Sequence, residues 1–320
     1  MLVVFAVSLV VLLVMPAFAL ADRERELEVE IEDWEISIES RCTINGKTNE
    51  LSIEFDADEA EIEIEYEEES GTAEKEMELE VEFLRLIEYQ DNNGDGIYNA
   101  GDLIIKEYKV RDSTFTTPTH KRVRIDNSTG YEISCVYTIG GGTIGGGRLG
   151  LKFIILNESA NVSGELLKPT WMKINITIDY PELSDTLLCL EIGVESEVET
   201  EGGSNEGLEE LRAQLHGYVG FFDWERQAMV DGTIKDVKSV IMKTTENVER
   251  DSDETELENE RIVYLCYPRG ERIIHDPIVG IRESALPGFL GVPMTVWYIG
   301  IVVAVAAIAI GIMLYARKRK

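Results

Sequence analysis

Residues 59–67 read EAEIEIEYE and residues 74–83 read EKEMELEVEF, so apolar and acidic residues alternate along both stretches. Successive side chains of a β-strand point to opposite faces of the sheet, and a period of two therefore buries one face and leaves the other in water. The same alternation occurs in ELEVEI at 26–31 and in WEISIES at 34–40. These stretches predict half-buried strands with an apolar inner face and an acidic outer face.

The alternation changes phase between the first two of these strands. Leu27 and Ile31 have odd numbers, whereas Ile36 and Ile38 have even numbers. A shift by one residue would turn the apolar side chains to the wrong face, so we expect a bend or a bulge at 32–33.

Strand-like runs continue from LRLIEY at 84–89 to IVYLCY at 262–267, separated by turns rich in Gly, Asn, Asp and Pro. Many short strands with such turns predict an all-β protein and, more specifically, a β-sandwich. GLEELRAQL at 207–215 is the segment that we expect to be helical. The glycine-rich stretch at 138–150 is either a linker between two packed sandwiches or a loop that joins two strands of one sandwich.

The chain is strongly acidic, with 61 acidic and 30 basic residues and a net charge of −31. Residues 22–90 alone hold 26 acidic and 6 basic residues, a net charge of −20. We interpret this region as a solvated acidic surface; bound cations or the basic segment 120–124 are the alternatives that would offset its repulsion. The acidity argues against a nucleic acid partner, because phosphates would be repelled.

Both ends of the chain predict export and anchoring. The apolar segment 1–21 ends in Ala-Leu-Ala and is typical of a secretory signal peptide, although an uncleaved anchor is the alternative because no Lys or Arg precedes it. Residues 296–315 carry no charge, and as a helix they would span about 30 Å, the thickness of the bilayer core. The basic tail 316–320 follows, and the positive-inside rule places it in the cytoplasm and 22–290 outside the cell membrane.

Glycosylation and disulfide formation are expected modifications of an exported region. Four N-x-S/T sequons are present, at Asn127, Asn157, Asn161 and Asn175. An even number of cysteines permits two disulfides with three connectivities, and four buried thiols are the alternative. The cysteines are Cys42, Cys135, Cys189 and Cys266.

The segment DNNGDGIYNAGD at 91–102 has oxygen-bearing residues at the alternate positions of a calcium loop. Calcium prefers six to eight oxygen ligands, and glycine at the sixth position, Gly96, permits the sharp turn that such a loop needs. Ile97 would supply its backbone carbonyl and Asn99 would act through a water molecule. The full set of candidate ligands is Asp91, Asn93, Asp95, Ile97, Asn99 and Asp102.

This segment resembles the D-x-N-x-D-G-x-x-N-x-x-D calcium loop of dockerin modules, a close relative of the EF-hand. The resemblance implies one bound Ca²⁺ and covers only these twelve residues. The segment departs from this family in two ways that bear on function. Sequences typical of strands flank the loop, and Asp102 replaces the longer glutamate of sensor sites. We therefore expect a structural ion, with an extracellular-type Kd of roughly 10⁻⁴ to 10⁻³ M, rather than a sensor or a cohesin-binding module.

A second resemblance concerns the segment before the membrane span. Pro287, Gly288 and Phe289, followed by an apolar span and a basic tail, resemble the sorting signal of archaeal surface proteins that an archaeosortase processes. In that family the tripeptide adjoins the span and follows a Thr-rich stalk. Here residues 290–295 intervene and IRESA precedes, so a plain juxtamembrane turn is the alternative.

No catalytic constellation is recognisable in the sequence. The three histidines, His120, His216 and His275, form no metal-binding pair, and no G-x-S-x-G motif is present. The sequence therefore favours a non-catalytic, calcium-stabilised surface protein that binds an extracellular protein, surface layer or glycan. The alternative is a membrane-anchored extracellular hydrolase acting on polysaccharide. Its candidate sugar platforms are Trp34, Trp171 and Trp224, for each of which a place in the core is the alternative.

Overall fold

The alternating segments form strands in the computed structural model of the chain. It describes residues 23–283 except 33, 45–46, 71–72, 112–114, 143–145, 182–184, 197–199, 206–207, 216–217 and 244–260. The predicted signal peptide, membrane span, basic tail and sorting tripeptide lie outside the described residues. Within them, no helix is long and apolar enough to cross a membrane.

The described residues contain 22 strands and one short 3-10 helix, Ile139–Gly142. The first eleven strands are β1 (Arg23–Glu32), β2 (Glu35–Ile44), β3 (Lys47–Asp56), β4 (Glu61–Ser70), β5 (Ala73–Gln90), β6 (Leu103–Lys109), β7 (Thr119–Ile125), β8 (Ser128–Thr138), β9 (Arg148–Leu156), β10 (Ala160–Val162) and β11 (Glu165–Leu167). The remaining strands are β12 (Trp171–Asp179), β13 (Leu187–Glu195), β14 (Thr200–Asn205), β15 (Leu208–Leu215), β16 (Tyr218–Glu225), β17 (Gln227–Val230), β18 (Thr233–Asp236), β19 (Lys238–Lys243), β20 (Arg261–Tyr267), β21 (Arg272–His275) and β22 (Ile278–Glu283).

Two large sheets organise these strands, and the paired strands for which a register is described run antiparallel. The first sheet, called the acidic sheet below, has the order β1-β2-β3-β4-β5-β13-β20-β19, and β6 pairs with the second half of β5. The second, called the opposite sheet, has the order β14-β15-β16-β22-β12-β21-β17-β18, and β9, β8 and β7 extend it from β12. Strands β10 and β11 form a separate hairpin. The prediction of an all-β protein is confirmed.

One hydrophobic core joins the two sheets. The apolar residues Ile62 and Ile64 of β4 are fully buried, as the period of two predicts. The rings of Phe55, on the acidic sheet, and Phe153, on the opposite sheet, have centroids 4.7 Å apart. This arrangement is consistent with a β-sandwich.

The chain reverses its direction between β1 and β2, and the change of phase coincides with this reversal. Strands β1 and β2 are antiparallel neighbours, and Ile31 lies opposite Ile36. The odd-numbered apolar residues of β1 and the even-numbered ones of β2 thereby lie on the same face of the acidic sheet.

The expectation of a helix at 207–215 is wrong. Leu208–Leu215 forms β15, which pairs with both β14 and β16. Leu211 and Ala213 point into the core, whereas Glu210 lies on the other face and contacts Arg212 and Arg282. Pairing on both edges outweighs the helix propensity of Leu, Glu, Arg and Ala.

The glycine-rich stretch 138–150 runs from the last residue of β8 to the first residues of β9. Thr138, at the end of β8, is opposite Arg148, at the start of β9, in the opposite sheet. The stretch therefore spans a hairpin connection within one sheet.

Glutamates lie directly opposite one another across the acidic sheet. Glu54, Glu63, Glu80 and Glu195 occupy successive opposed positions on β3, β4, β5 and β13. The basic segment 120–124 does not lie across this row, because β7 belongs to the opposite sheet and its Lys121 contacts Glu132. Direct opposition of like charges destabilises a sheet, so this row opposes folding when it is fully ionised.

Candidate metal centre

The candidate calcium loop closes a hairpin at one end of the acidic sheet. Residues 91–102 connect β5 to β6, and Gln90 at the end of β5 lies opposite Leu103 at the start of β6. The paired strands fix both ends of the loop. Strands flank this loop, whereas the loop of a calcium sensor lies between two helices that open and close.

Side-chain oxygens shape the first half of the loop. Asp91 Oδ1 accepts hydrogen bonds from the backbone N–H of Gly94 at 2.7 Å and of Asn93 at 3.2 Å. Its Oδ2 accepts from the N–H of Gly96 at 2.7 Å, and Asp95 Oδ1 accepts from the N–H of Ile97 at 2.7 Å. The aspartates therefore lie inside the turn rather than pointing away from it.

Asp102 closes the second half of the loop. Its Oδ1 accepts from the N–H of Asn92 at 3.0 Å, and its Oδ2 accepts from the N–H of Asn99 at 2.9 Å. The two ends of the loop are thus bound to one carboxylate. Gly96, at the sixth position, has a φ of +78°, which only glycine adopts without strain.

The hydrogen bonds to Asp91 favour its charged form. Desolvation raises the pKa of Asp91, but the backbone N–H groups of Gly96, Gly94, Asn93 and Asp95 outweigh this effect and hold the pKa below its usual value. A carboxylate that stays ionised at all physiological pH values is a suitable ligand for a hard cation.

The chemistry of the donors fits calcium, because all six candidate ligands offer oxygen and three of them are carboxylates. Among the described residues, however, no group of three or more His, Cys, Asp or Glu side chains is arranged to hold a metal ion. Asn93 Nδ2 donates to Asp95 Oδ2 at 2.8 Å, and Asn99 Nδ2 donates to the carbonyl of Ile97 at 3.2 Å. To bind calcium, Asp95 Oδ2 and the carbonyl oxygen of Ile97 would have to give up these amide hydrogen bonds and coordinate the ion instead.

The loop rests on a small aromatic cluster that the sequence analysis did not identify. The Tyr89 hydroxyl donates to the carbonyl of Gly96 at 3.1 Å, and the Tyr98 ring lies 5.3 Å from the Tyr89 ring and 5.5 Å from the Tyr264 ring. The backbone N–H of Tyr98 donates to Cys266 Sγ at 3.3 Å. Cys266 is 168 residues away in the chain, so no local spacing could have indicated the contact.

The predicted glycosylation sites differ in accessibility. Asn127, in the turn between β7 and β8, and Asn161, on β10, are exposed. Asn157 is half-buried, and its Oδ1 accepts hydrogen bonds from Ser128 and Thr129. The Nδ2 of Asn175 donates to Asp276 at 2.6 Å, and a glycan at Asn175 would have to replace this bond.

The structure brings two of the four cysteines together. Cys189 on β13 lies directly opposite Cys266 on β20, with the two Sγ atoms 3.2 Å apart. Cys135 lies in the main core on β8, where burial raises the pKa of its thiol. The side chain of Cys42 lies outside the described residues.

His275 is a structural residue rather than an acid or base. Its Nε2 donates to the carbonyl of Glu225 at 2.8 Å, and the Tyr267 hydroxyl donates to its Nδ1 at 3.0 Å. Burial lowers the pKa of His275 to about 4, so the ring is neutral at physiological pH. His120 is exposed on β7, and His216 lies outside the described residues.

The candidate sugar platforms do not form a common surface. Trp224 is 1% exposed and belongs to the core, whereas Trp34 is 36% exposed in the turn before β2. Trp171 is half-buried, and its ring packs edge-on against Phe221 at 5.1 Å.

A second polar cluster, also missed by the sequence analysis, lies on the outer face of the opposite sheet. Glu210 and Asp223 are directly opposed on β15 and β16, and Arg282 Nη2 and Nη1 reach them at 2.8 and 3.5 Å. Burial raises the pKa of Asp223 to about 7. Desolvation also acts to raise the pKa of Glu210, but Arg212 and Arg282 outweigh it and hold that pKa below its usual value.

A pocket of about 660 Å³ opens near the ends of β8, β9 and β12, and it does not include this cluster. Its lining pairs opposite charges, Arg148 and Arg272 with Asp179 and Glu271. Arg272 Nη1 lies 3.6 Å from Asp179 Oδ1, so the charges partly neutralise each other. The two carboxylates of the lining, Asp179 and Glu271, therefore share the pocket with two guanidinium groups.

Comparison with known proteins does not assign the chain to a family. No protein-family model matches it, and no curated protein is significantly similar to it in sequence.

Proposed function

We propose that the chain is a non-catalytic cell-surface protein, whose β-sandwich ectodomain is stabilised by one calcium ion and anchored by the membrane helix at 296–315. The observation that carries the proposal is the loop at 91–102. Its three aspartates fold inward onto a hairpin whose ends are fixed by paired strands. Calcium in such a loop would hold the hairpin closed and would not transmit a signal.

The sequence supports the location. The apolar segment 1–21, the uncharged segment 296–315 and the basic tail 316–320 together favour a single-pass protein of the cell membrane, with the C-terminus in the cytoplasm. The exposed sequons at Asn127 and Asn161 agree with an extracellular position for the described residues.

An apolar strand beside the loop supports the binding of a partner. Leu103, Ile104 and Ile105, the first residues of β6, are 53%, 39% and 41% exposed. Consecutive exposed apolar residues beside a structured loop are typical of interaction surfaces. A partner protein or glycan that binds there would depend on calcium indirectly, because the loop determines where β6 begins.

Protease treatment of intact cells tests the topology. In cells that express the full-length chain with a C-terminal tag, external protease should reduce the tagged product to a short membrane fragment. A tagged chain that stays at full length on intact cells, and is degraded only after lysis, would contradict the proposal.

A membrane-anchored hydrolase is the second candidate, and the Glu210–Asp223–Arg282 cluster is the observation that favours it. Two carboxyls whose surroundings move their pKa values in opposite directions are typical of an acid–base pair. Release of reducing ends from a panel of polysaccharides, measured for the wild type and for Asp223→Asn, tests this candidate. Absence of release by the wild type from the whole panel would exclude polysaccharide hydrolysis over that substrate range.

A further inference from the structure

Cys189 and Cys266 form a buried pair in the acidic sheet. They occupy directly opposed positions on β13 and β20, their Sγ atoms are 3.2 Å apart, and their side chains are 0% and 1% exposed. They belong to a small cluster with Ile87 and Tyr89, separate from the main core.

The backbone geometry at this pair suits a disulfide. Directly opposed residues on antiparallel strands have Cα atoms about 4.5 to 5.5 Å apart, inside the range of about 4.4 to 6.8 Å that disulfides span. The Sγ atoms need to approach by only about 1.2 Å to reach the bond length of about 2.0 Å. Rotation of the two side chains can supply this movement while the strands stay paired.

Cys266 is also the contact between this pair and the loop at 91–102. Its Sγ accepts the hydrogen bond from the backbone N–H of Tyr98 at 3.3 Å. Tyr98 lies between Ile97 and Asn99, two of the candidate ligands. The position of the Cys266 sulfur therefore determines where this part of the loop backbone is held.

We propose that Cys189 and Cys266 form a disulfide, and that this bond supports the candidate calcium loop through Tyr98. The bond forms by thiol–disulfide exchange with a disulfide donor during folding, before the pair is buried. The two thiols lose two protons and two electrons, and the donor disulfide is reduced to two thiols. The inference rests on the proposed function in one respect, because an exported chain meets such a donor.

Mass spectrometry of the full-length protein tests the bond directly. The protein is denatured in the presence of an alkylating agent and in the absence of a reductant. It is then cleaved after glutamate, which releases Cys189 in LSDTLLCLE (183–191) and Cys266 in RIVYLCYPRGE (261–271). We expect the two peptides joined, lighter by the two thiol hydrogens, whereas Cys135 is alkylated. The Cys135→Ala variant should retain the joined peptides and Cys189→Ala should lose them.

Hydrogen exchange tests the support of the loop without any need for calcium. Cys189→Ala removes the bridge and keeps the Cys266 thiol, but no covalent bond then fixes the position of the Cys266 sulfur. Amide exchange in 91–102 should therefore be severalfold faster than in the wild type. Cys135→Ala, another buried cysteine-to-alanine change, should leave this exchange unchanged. If Cys189→Ala does not fold, the wild type before and after reduction of the bridge provides the same comparison. Unchanged exchange in 91–102 would overturn the supporting role.

Oxidation of the purified protein distinguishes failure of this inference from failure of the proposed function. If the protein isolated from cells carries free thiols but glutathione disulfide joins Cys189 to Cys266 during refolding, the inference holds and the proposed export is wrong. If both cysteines remain alkylatable after refolding with glutathione disulfide, the proposed disulfide is excluded.

Discussion

The backbone N–H of Tyr98 donates a hydrogen bond to Sγ of Cys266, 3.3 Å away in space and 168 residues away in sequence. This contact joins the loop at 91–102 to a strand near the C-terminal end of the described chain. A hairpin loop with such a contact is held by the fold around it as well as by its own turns. Changes beneath the loop should therefore alter metal binding.

Removal of the Tyr89 hydroxyl should weaken calcium binding. Tyr89→Phe loses the hydrogen bond to the carbonyl of Gly96, a contribution of about 0.5 to 1.5 kcal/mol. We expect an affinity about two- to tenfold lower, measured by calorimetric titration of the full-length protein with calcium. Tyr264→Phe is the matched control, because it removes a hydroxyl from the same aromatic cluster and leaves Gly96 untouched. Equal affinities of Tyr89→Phe and the wild type would show that this hydrogen bond does not support the site.

Glu88 should be essential for stability. It is fully buried on the acidic sheet, and it accepts hydrogen bonds from Tyr180 at 2.9 Å and Thr186 at 2.8 Å. Arg269 Nη2 lies 3.7 Å from it, and the Arg269 side chain is only 9% exposed. Glu88→Leu would leave this buried guanidinium without its carboxylate, which typically costs about 3 to 5 kcal/mol.

Chemical denaturation measures this effect, with Thr186→Val as the comparison. That variant removes the hydrogen bond to Glu88 and keeps the ion pair, so it should cost about 1 kcal/mol. A free energy of unfolding for Glu88→Leu within about 1 kcal/mol of the wild type would contradict the role of the buried ion pair.

The glutamate row should make the protein less stable at alkaline pH. Burial and then the charge of Glu78 raise the pKa of Glu63 to about 7, and burial and then the charge of Glu61 raise the pKa of Glu80 to about 8. A carboxyl whose pKa is higher in the folded chain binds its proton more tightly there, so folding is favoured as the pH falls. This contribution should decline between about pH 4.5, the ordinary value, and about pH 8.

Melting temperatures at about pH 5.5 and about pH 8.5 test this dependence, and we expect the higher value at the lower pH. Glu63→Gln and Glu80→Gln should reduce the difference, whereas Glu158→Gln, an exposed residue after β9, should not. A wild type that melts higher at the alkaline pH would show that the row is not the dominant titrating group.

Much of the fold follows from local alternation. In β4, Ile62, Ile64 and Tyr66 face the core as their spacing predicts, because a strand with one face in water has only one register that buries its apolar residues. Leu208–Leu215 was mispredicted because its residues favour a helix when considered alone. Its strand form depends on pairing with β14 and β16, which local propensity does not contain.

In the candidate site, too, some features follow from the local sequence and others depend on strand pairing. The oxygen-bearing residues of 91–102 are contiguous, so their spacing was visible in the sequence. Tyr264 and Cys266 reach the loop only because β20 lies beside β13, and Asp223 meets Arg282 only because β16 lies beside β22. Contacts that depend on the order of the strands in a sheet leave no pattern in the local sequence.

Calcium dependence of thermal unfolding tests the central claim most directly. For a Kd of roughly 10⁻⁴ to 10⁻³ M, about 10 mM calcium should stabilise the full-length protein by about 1.4 to 2.7 kcal/mol relative to EDTA. For a domain of this size, that corresponds to a rise in Tm of about 3 to 10 °C. Magnesium at equal concentration controls for screening of the acidic sheet and should give a smaller rise.

Asp95→Asn keeps an oxygen for the N–H of Ile97 but removes a ligand charge and the acceptor of the Asn93 Nδ2 hydrogen bond. It should lose most of the calcium-dependent rise, and in EDTA it should cost no more than about 1 kcal/mol, the contribution of one hydrogen bond. Asp58→Asn, in the exposed turn between β3 and β4, should retain the full rise. The account predicts a calcium-specific rise that depends on Asp95. The same melting temperature in EDTA and in millimolar calcium would contradict it.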